Sequence, residues 1–234
     1  MSSARRGLAP MLALMSLAAS AQAILPTGPD LRANGWQPIE FHGRALTRFE
    51  ADGPQGLRIV TENSSSMLSR GVRIDPATHR CLTWRWRVDD STIPPTDLGK
   101  RGGDDRDLIV SLGFAFDPDN ASLGERLRHV LARQQTGRVV PGHVLFYVWG
   151  GAHARNAWVN SPYMDGAGAI RVIENSRGEL QRWHEVAVDF AADFRARFDR
   201  PVPLVIELAI GADSDDTRSR SSGRIADLSF KPGC

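Results

Sequence analysis

The 234-residue sequence has only two cysteines, Cys81 and Cys234, and they are too far apart to form a CxxC motif. Closely spaced thiols are typical of zinc sites and thioredoxin-like redox centres, so the sequence argues against both. A disulfide between these two cysteines is one expectation if the protein is exported. The alternative is a buried Cys81 with a free Cys234.

Long hydrophobic runs are also missing. The run from Leu8 to Ala19 is shorter than the ~20 residues that a membrane-spanning helix needs. Arg5 and Arg6 precede it and Ala21-Gln22-Ala23 follows it, so residues 1–23 are predicted to be a cleaved export signal. We therefore expect a bacterial protein that is periplasmic or secreted, without membrane insertion after cleavage.

The sequence has little net charge, with 29 Lys and Arg residues against 27 Asp and Glu. Without the predicted signal, and so without Arg5 and Arg6, 27 basic and 27 acidic residues remain. This balance gives no reason to expect a nucleic-acid partner.

Several catalytic signatures are absent. There is no Gly-x-Ser-x-Gly elbow, no Gly-rich phosphate loop and no dinucleotide fingerprint. His184-Glu185 is followed by Val188 where a zincin needs histidine, and the six histidines form no i, i+2 or i, i+4 ligand pair. A glycosidase needs only two carboxylates, and Glu207 could pair with a loop aspartate such as Asp104.

Composition and periodicity favour a mainly β protein. Asp outnumbers Glu by 19 to 8, Gly numbers 22 and Pro 14, and most apolar segments are short and alternate. These patterns favour one two-layer sandwich. The predicted strands are Leu57–Glu62, Met67–Ile74, Leu82–Val88, Leu108–Phe116, Val144–Trp149, Ala169–Ile173, Trp183–Val188, Leu204–Ile210 and Ile225–Phe230.

Two segments have helical rather than strand periodicity. Ser122 and Glu125 have capping-box spacing, and the apolar residues that follow share one helical face, which predicts a helix over 122–134. Phe190, Phe194 and Phe198 recur every four residues, which predicts a second short helix.

The strand periodicity also suggests a binding face. If the strands are neighbours, Arg85, Tyr147, Trp149 and Glu207 could share one polar surface. Aromatic rings stack on sugars while charged groups bond to hydroxyls, so such a surface would suit a carbohydrate. A half-exposed or helix-covered sheet face would show the same alternation.

Two acidic loops lie at strand ends: Gly102-Gly103-Asp104-Asp105, and 211–217 with Asp213, Asp215 and Asp216. Carboxylates this close repel one another, so we expect either a bound Ca²⁺ at Asp213, Asp215 and Asp216 or compensation by arginines. Arg106, Arg218 and Arg220 are close enough in sequence for the second. An EF-hand is excluded, because Arg224 stands where its bidentate Glu should be.

Four segments in this order resemble a family of exported bacterial proteins grouped as DUF3047. They are Leu82-Thr83-Trp84-Arg85-Trp86-Arg87-Val88, Gly103-Asp104-Asp105, Tyr147-Val148-Trp149, and Asp213-Ser214-Asp215-Asp216-Thr217 with Gly223-Arg224-Ile225. Asp216 departs from the family's usual Asn. The resemblance implies a single-domain, jelly-roll-like β-sandwich similar to galactose-binding-like and carbohydrate-binding modules, with 24–56 as a lead-in and first strands and 57–234 as the body. It implies no established activity.

The leading hypothesis is therefore a non-catalytic module that binds a carbohydrate or cell-envelope polymer through Arg85, Tyr147, Trp149 and Glu207. One alternative is a polysaccharide-active hydrolase or lyase that uses Glu207 with a loop aspartate. The other is a structural envelope protein whose acidic loops are ion-paired.

Overall fold

The computed structural model describes residues 24–25, 30–136 and 139–234. The predicted export signal, residues 1–23, lies outside them. The strands of the described part are β1 (Trp36–Glu40), β2 (Arg48–Ala51), β3 (Leu57–Glu62), β4 (Ser65–Ile74), β5 (Cys81–Ser91), β6 (Arg106–Phe114), β7 (His143–Trp149), β8 (Trp158–Asn160), β9 (Gly168–Glu174), β10 (His184–Asp189), β11 (Val205–Asp213) and β12 (Arg220–Lys231). The α-helices are α1 (Leu123–Thr136) and α2 (Phe190–Phe198).

The strands form two sheets. One has seven strands in the order β1-β4-β11-β6-β7-β9-β8, and the other has five in the order β10-β5-β12-β3-β2. Neighbouring strands are antiparallel apart from β7 and β9, which are parallel. This architecture confirms the predicted mainly β, jelly-roll-like sandwich with two short helices.

The main hydrophobic core lies between the two sheets. In β5, the alternate residues Leu82, Trp84, Trp86 and Val88 are buried, as their period-two spacing predicts. The facing residues of β6, including Leu108 and Val110, belong to the same cluster. Burial of several indole rings gives this core much of its apolar area.

Each of the nine predicted strands overlaps an observed one. β1 and β2 lie within 24–56, where first strands were expected without bounds, and β8 was not predicted. All three lie at sheet edges and have three to five residues each. β1 also contains Pro38, which is tolerated only where a strand needs no second hydrogen-bonding neighbour.

Both predicted helices are present. At the start of α1, the Glu125 carboxylate accepts from the Ser122 amide at 2.7 Å and the Ser122 hydroxyl accepts from the Glu125 amide at 3.3 Å, which is a capping box. α2 begins after Asp189, whose side chain accepts from the Ala192 amide at 2.9 Å. Phe194 of α2 is fully buried in the core. Neither helix is long and apolar enough to cross a membrane.

Cys81 and Cys234 form a disulfide across 153 positions of sequence. The bond fastens the end of the chain, just after β12, to the beginning of β5. Because β5 and β12 are hydrogen-bonded neighbours, the disulfide reinforces a pairing that the five-stranded sheet already makes.

Candidate functional site

Tyr147 and Trp149 do not lie on a polar surface. In the antiparallel pairing of β7 with β6, Tyr147 is opposite Val110 and Trp149 is opposite Leu108, so both rings point into the core. Both are fully buried, and the Trp149 ring lies 5.8 Å from that of Trp86. Their predicted place on an accessible binding surface is therefore wrong.

Arg85 and Glu207 also do not share a surface. Arg85 lies on β5 of the five-stranded sheet, whereas Glu207 lies on β11 of the seven-stranded sheet. The outer face of the seven-stranded sheet carries a second buried apolar cluster, which includes Leu98, Ile109 and Val148. The predicted face thus combined residues from the core and from two different sheets.

Glu207 and Asp104 are too far apart to act as a glycosidase pair. Glu207 is opposite Gly113, near one end of β6, while Asp104 comes just before Arg106, at the other end. Asp213, the partner of Arg106, lies six positions after Glu207 along β11, which corresponds to about 20 Å. Paired glycosidase carboxylates lie roughly 5 to 9.5 Å apart.

The outer face of the five-stranded sheet does carry an aromatic residue. Trp183 comes directly before β10 and is half-buried. The guanidinium carbon of Arg85 lies 4.4 Å from the Trp183 ring centroid and that of Arg87 lies 5.2 Å from it. These distances are typical of cation–π interactions, so the two guanidinium groups hold the indole ring against the outer face of the sheet.

A depression of about 620 Å³ opens beside Trp183. Asn175 and His184 line it, together with three basic and three acidic residues: Arg155, Arg177, Arg182, Glu174, Glu179 and Glu185. His184 turns inward, where its ring meets Trp149 edge-on at 4.8 Å. We call Trp183, Arg85, Arg87 and this depression the Trp183 surface.

Farther across the same sheet, charged side chains form ion pairs over β2, β3, β5 and β12. Arg58 contacts Glu50 at 3.0 Å, and Arg224 contacts Asp52 at 2.8 Å and also pairs with Asp89. They line a second, smaller depression of about 450 Å³. The outer face of this sheet is thus polar and close to charge balance.

Trp183 and Arg87 were not predicted as site residues, although the sequence contains a signal for them. In the predicted strand Trp183–Val188, Trp183 and Glu185 alternate with the apolar Val186 and Val188, which places them outside. Glu185 pairs with Arg85 in the β10–β5 register. That pairing could not be read from a single sequence.

The two acidic loops converge at the end of the sandwich where β6 begins and β11 ends. Arg106 is buried there and lies 2.6 Å from Asp104 and 3.5 Å from Asp213. Asp104 also accepts a hydrogen bond from the Tyr163 hydroxyl at 3.0 Å. β7 ends at the same edge, since Trp149 is opposite Leu108, but its indole points into the core.

Asp105 joins the two loops and is fully buried. One carboxylate oxygen accepts from the Asp216 amide at 3.2 Å, and the other accepts from the Thr217 amide at 2.7 Å and from the Thr217 hydroxyl. Asp105 therefore holds the loop after β11 against the start of β6.

Arginines compensate part of this charge, but they are mostly not those expected. Arg106 is one, as predicted, while Arg44 from the segment between β1 and β2 pairs with Asp215 and lies 3.5 Å from Asp216. Arg220 instead lies 3.5 Å from Asp90, so its predicted role in this cluster is wrong. Arg44 is far from the acidic loops in sequence, and no local pattern indicated it.

Protonation compensates another part of the charge. Burial raises the pKa of Asp213 to about 8, against the opposing effect of Arg106 and with support from Asp215 and Asp105. Burial and the neighbouring Asp215 also raise the pKa of Asp216.

The same cluster contains the oxygens that could hold a divalent cation. One oxygen from each of Asp105, Asp213 and Asp215 lies within 4.8 Å of the others, a spacing that Ca²⁺ could share. Asp213 and Asp215 were predicted as ligands. Asp105 replaces Asp216, whose nearest basic partner is Arg44.

We expect the stability of the cation-free protein to fall as pH rises from about 4 to about 8. In this range folded Asp213 keeps a proton that the unfolded chain, with an Asp pKa of about 3.9, has lost. Unfolding therefore becomes easier as pH rises, by at most about 1.4 kcal/mol per pH unit. Urea unfolding of wild type and Asp213→Asn in chelator measures this slope, which should be smaller in the variant.

Adding Ca²⁺ in the same measurement tests the predicted metal site. A cation held by Asp105, Asp213 and Asp215 would displace the proton, so it should raise the melting temperature more near pH 8 than near pH 5. An unchanged melting temperature at both pH values would contradict a Ca²⁺ site.

The structure thus defines a disulfide-bonded two-sheet sandwich with an aromatic, charge-balanced surface and an acidic end. The chain belongs to the family described as protein of unknown function (DUF3047), whose family model matches residues 34–229. This confirms the resemblance found in the sequence motifs. Among curated proteins, none matches this chain.

The solved structures that are similar to the chain include the following two, both at low sequence identity. One is the xyloglucanase domain of NopAA, a type three effector from Sinorhizobium fredii, in complex with cellobiose; the TM-score is 0.46 and the identity 8%, covering 84% of this chain and 92% of that one. The other is CBM28, a carbohydrate-binding module specific for non-crystalline cellulose, with a TM-score of 0.34 and 12% identity over 85% of this chain and 88% of that one.

Proposed function

We propose that this protein is a non-catalytic module that binds a carbohydrate or another hydroxyl-rich polymer of the cell envelope at the Trp183 surface. The observation that carries the proposal is the half-buried Trp183 ring, held by Arg85 and Arg87 beside an open depression. Arg85 is retained from the sequence-based site, and Trp183 takes the stacking role first given to Trp149.

The chemistry of this surface suits a sugar. An indole offers an apolar face for the C–H groups of a pyranose ring, and the surrounding guanidinium, carboxylate and amide groups can bond to hydroxyls. Because Arg85 and Arg87 already restrain the ring, binding would order few additional side-chain torsions.

The charge of the depression narrows the ligand class. Its three arginines and three glutamates balance, so the lining offers both donors and acceptors without a strong field of either sign. Electrostatic complementarity therefore favours an uncharged polyhydroxylated chain over a polyanion.

Export is part of the proposal. It is supported by the signal-like residues 1–23 and by the Cys81–Cys234 disulfide, because disulfides persist in the periplasm and outside the cell.

The Trp183→Ala variant should lose at least about tenfold in affinity for the polymer, because it removes the stacking platform without touching the core. A glycan array and pull-downs with envelope and plant-type polysaccharides would identify a ligand. Calorimetry would then measure the affinity of wild type and of Trp183→Ala for that ligand.

Trp158→Ala is the matched control. Trp158 is also half-buried and also lies near two guanidinium groups, those of Arg171 at 5.8 Å and Arg197 at 5.3 Å, but it is on β8 of the other sheet. Its replacement should leave affinity unchanged. Absence of binding to every polymer, or equal affinity of Trp183→Ala and wild type, would refute the proposal.

A further inference from the structure

Helix α1 packs on the sandwich with its polar side. Glu125 lies 2.8 Å from Arg200, and the His129 ring stacks on Phe116 at 4.0 Å while its Nε2 is 2.9 Å from the Val140 carbonyl oxygen. Glu125 and His129 are one turn apart, so they lie on the same side of the helix.

The apolar side of α1 faces away from the protein. Leu123 is 84% exposed and Leu127 is 61% exposed, and Val130 and Leu131 are about half exposed. At about 100° per residue, these four positions form one stripe opposite Glu125 and His129. A helix that only had to pack on the sandwich would be expected to have the reverse arrangement.

Arginines flank this apolar stripe on both sides. Arg126 and Arg133 lie along one border and Arg128 along the other, and all three are exposed. Glu125, the single acidic residue of the helix, points inward to Arg200. Nearby Asp165 is 3.6 Å from Arg128, but both side chains are more than half exposed, so the pair is weak.

We propose that α1 adsorbs to an anionic phospholipid surface, lying in the plane of the membrane with its apolar stripe among the acyl chains. A short helix with leucines on one side and arginines at its borders has the pattern of an interfacial helix, in which the guanidinium groups reach lipid phosphates. The helix lies at the membrane surface, which agrees with its being too short and too polar to cross the membrane.

The charges favour a membrane over a second copy of this chain. Two α1 stripes packed face to face would bring the flanking arginines of one helix against those of the other, with no outward-facing carboxylate of the helix between them. An anionic lipid surface offers the opposite charge to both borders at once.

The experiment compares sedimentation with vesicles of phosphatidylcholine alone and of phosphatidylcholine mixed with phosphatidylglycerol. The full protein should bind the mixed vesicles, and salt should weaken the binding. Leu127→Glu/Leu131→Glu should reduce the apparent affinity at least about tenfold, because it removes half of the stripe and adds negative charge.

A second variant tests the electrostatic part. Arg126→Gln/Arg133→Gln should weaken binding about fivefold per arginine and reduce its salt dependence. Its matched control is Arg73→Gln/Arg195→Gln, which removes two exposed arginines from other elements. The control for the leucines is Leu46→Glu, a leucine 52% exposed outside α1. Both controls should bind as wild type does.

The proposal is overturned if wild type does not bind the mixed vesicles, or if Leu127→Glu/Leu131→Glu still binds them as wild type does. The second result would place membrane affinity elsewhere, for example in residues 1–23. A wild-type dimer that dissociates in the leucine variant would also overturn it, because the stripe would then be a contact between copies. Unchanged melting temperatures would show that the variants are folded, and Trp183→Ala should bind vesicles normally.

Discussion

Replacing Cys81 and Cys234 by alanine is expected to lower the free energy of unfolding by about 4–5 kcal/mol. The disulfide closes a loop of 153 positions, and in the chain-entropy account a cross-link over so long a loop removes much of the unfolded chain's conformational freedom. Urea unfolding of the variant and of oxidised wild type measures the difference.

The single variant Cys234→Ala separates the cross-link from packing. Cys234 is exposed, whereas Cys81 is fully buried, so the single variant breaks the bond without making a cavity. The Cys234→Ala variant should show most of the loss in the free energy of unfolding. Wild type reduced with dithiothreitol should unfold at the same urea concentration as this variant. Equal midpoints for oxidised wild type and Cys234→Ala would mean that the disulfide does not stabilise the fold.

Asp105→Ala is expected to cost about 3 kcal/mol, because the amides of Asp216 and Thr217 and the Thr217 hydroxyl would lose their acceptor inside the protein. Asp105→Asn keeps one acceptor oxygen and should cost less. Urea unfolding measures the loss in the free energy of unfolding for both variants, and hydrogen exchange at the Thr217 amide shows whether the loop after β11 is released.

The control is Asp90→Ala. The Asp90 side chain is 62% exposed and pairs with Arg220 at 3.5 Å, so its loss should cost less than about 1 kcal/mol. If Asp105→Ala were no more harmful than Asp90→Ala, Asp105 would not be the link between the acidic loops. Relief of repulsion with Asp213 would then be the larger effect of removing it.

Much of the fold could be predicted because its elements have strong local periodicity. The alternation in Leu82–Val88 identifies core residues of β5 without any knowledge of its neighbours. The capping box at Ser122 and the four-residue spacing of Phe190 and Phe194 are also local. The bounds of the edge strands β1, β2 and β8 could not be predicted because three to five residues, one of them Pro38 in β1, give too little periodicity.

The candidate site could be predicted only in part, because it depends on pairing between distant segments. Periodicity shows that Tyr147 and Trp149 share a side of β7, but only the pairing with Leu108 and Val110 shows that this side is inside. Likewise, the convergence of Asp105 with Asp213 depends on β6 lying beside β11. Helix α1 was predicted from its apolar stripe, yet the stripe points outward.

The position of β12 in the five-stranded sheet constrains when the protein can fold. β12 follows all the other strands of the described residues, yet it lies between β3 and β5, so those two strands have no common neighbour until β12 is available. Contacts of such long sequence separation form late and slowly. A chain emerging from a ribosome should therefore lack its complete five-stranded sheet until β12 has emerged, which gives chaperones an extended period to act on it.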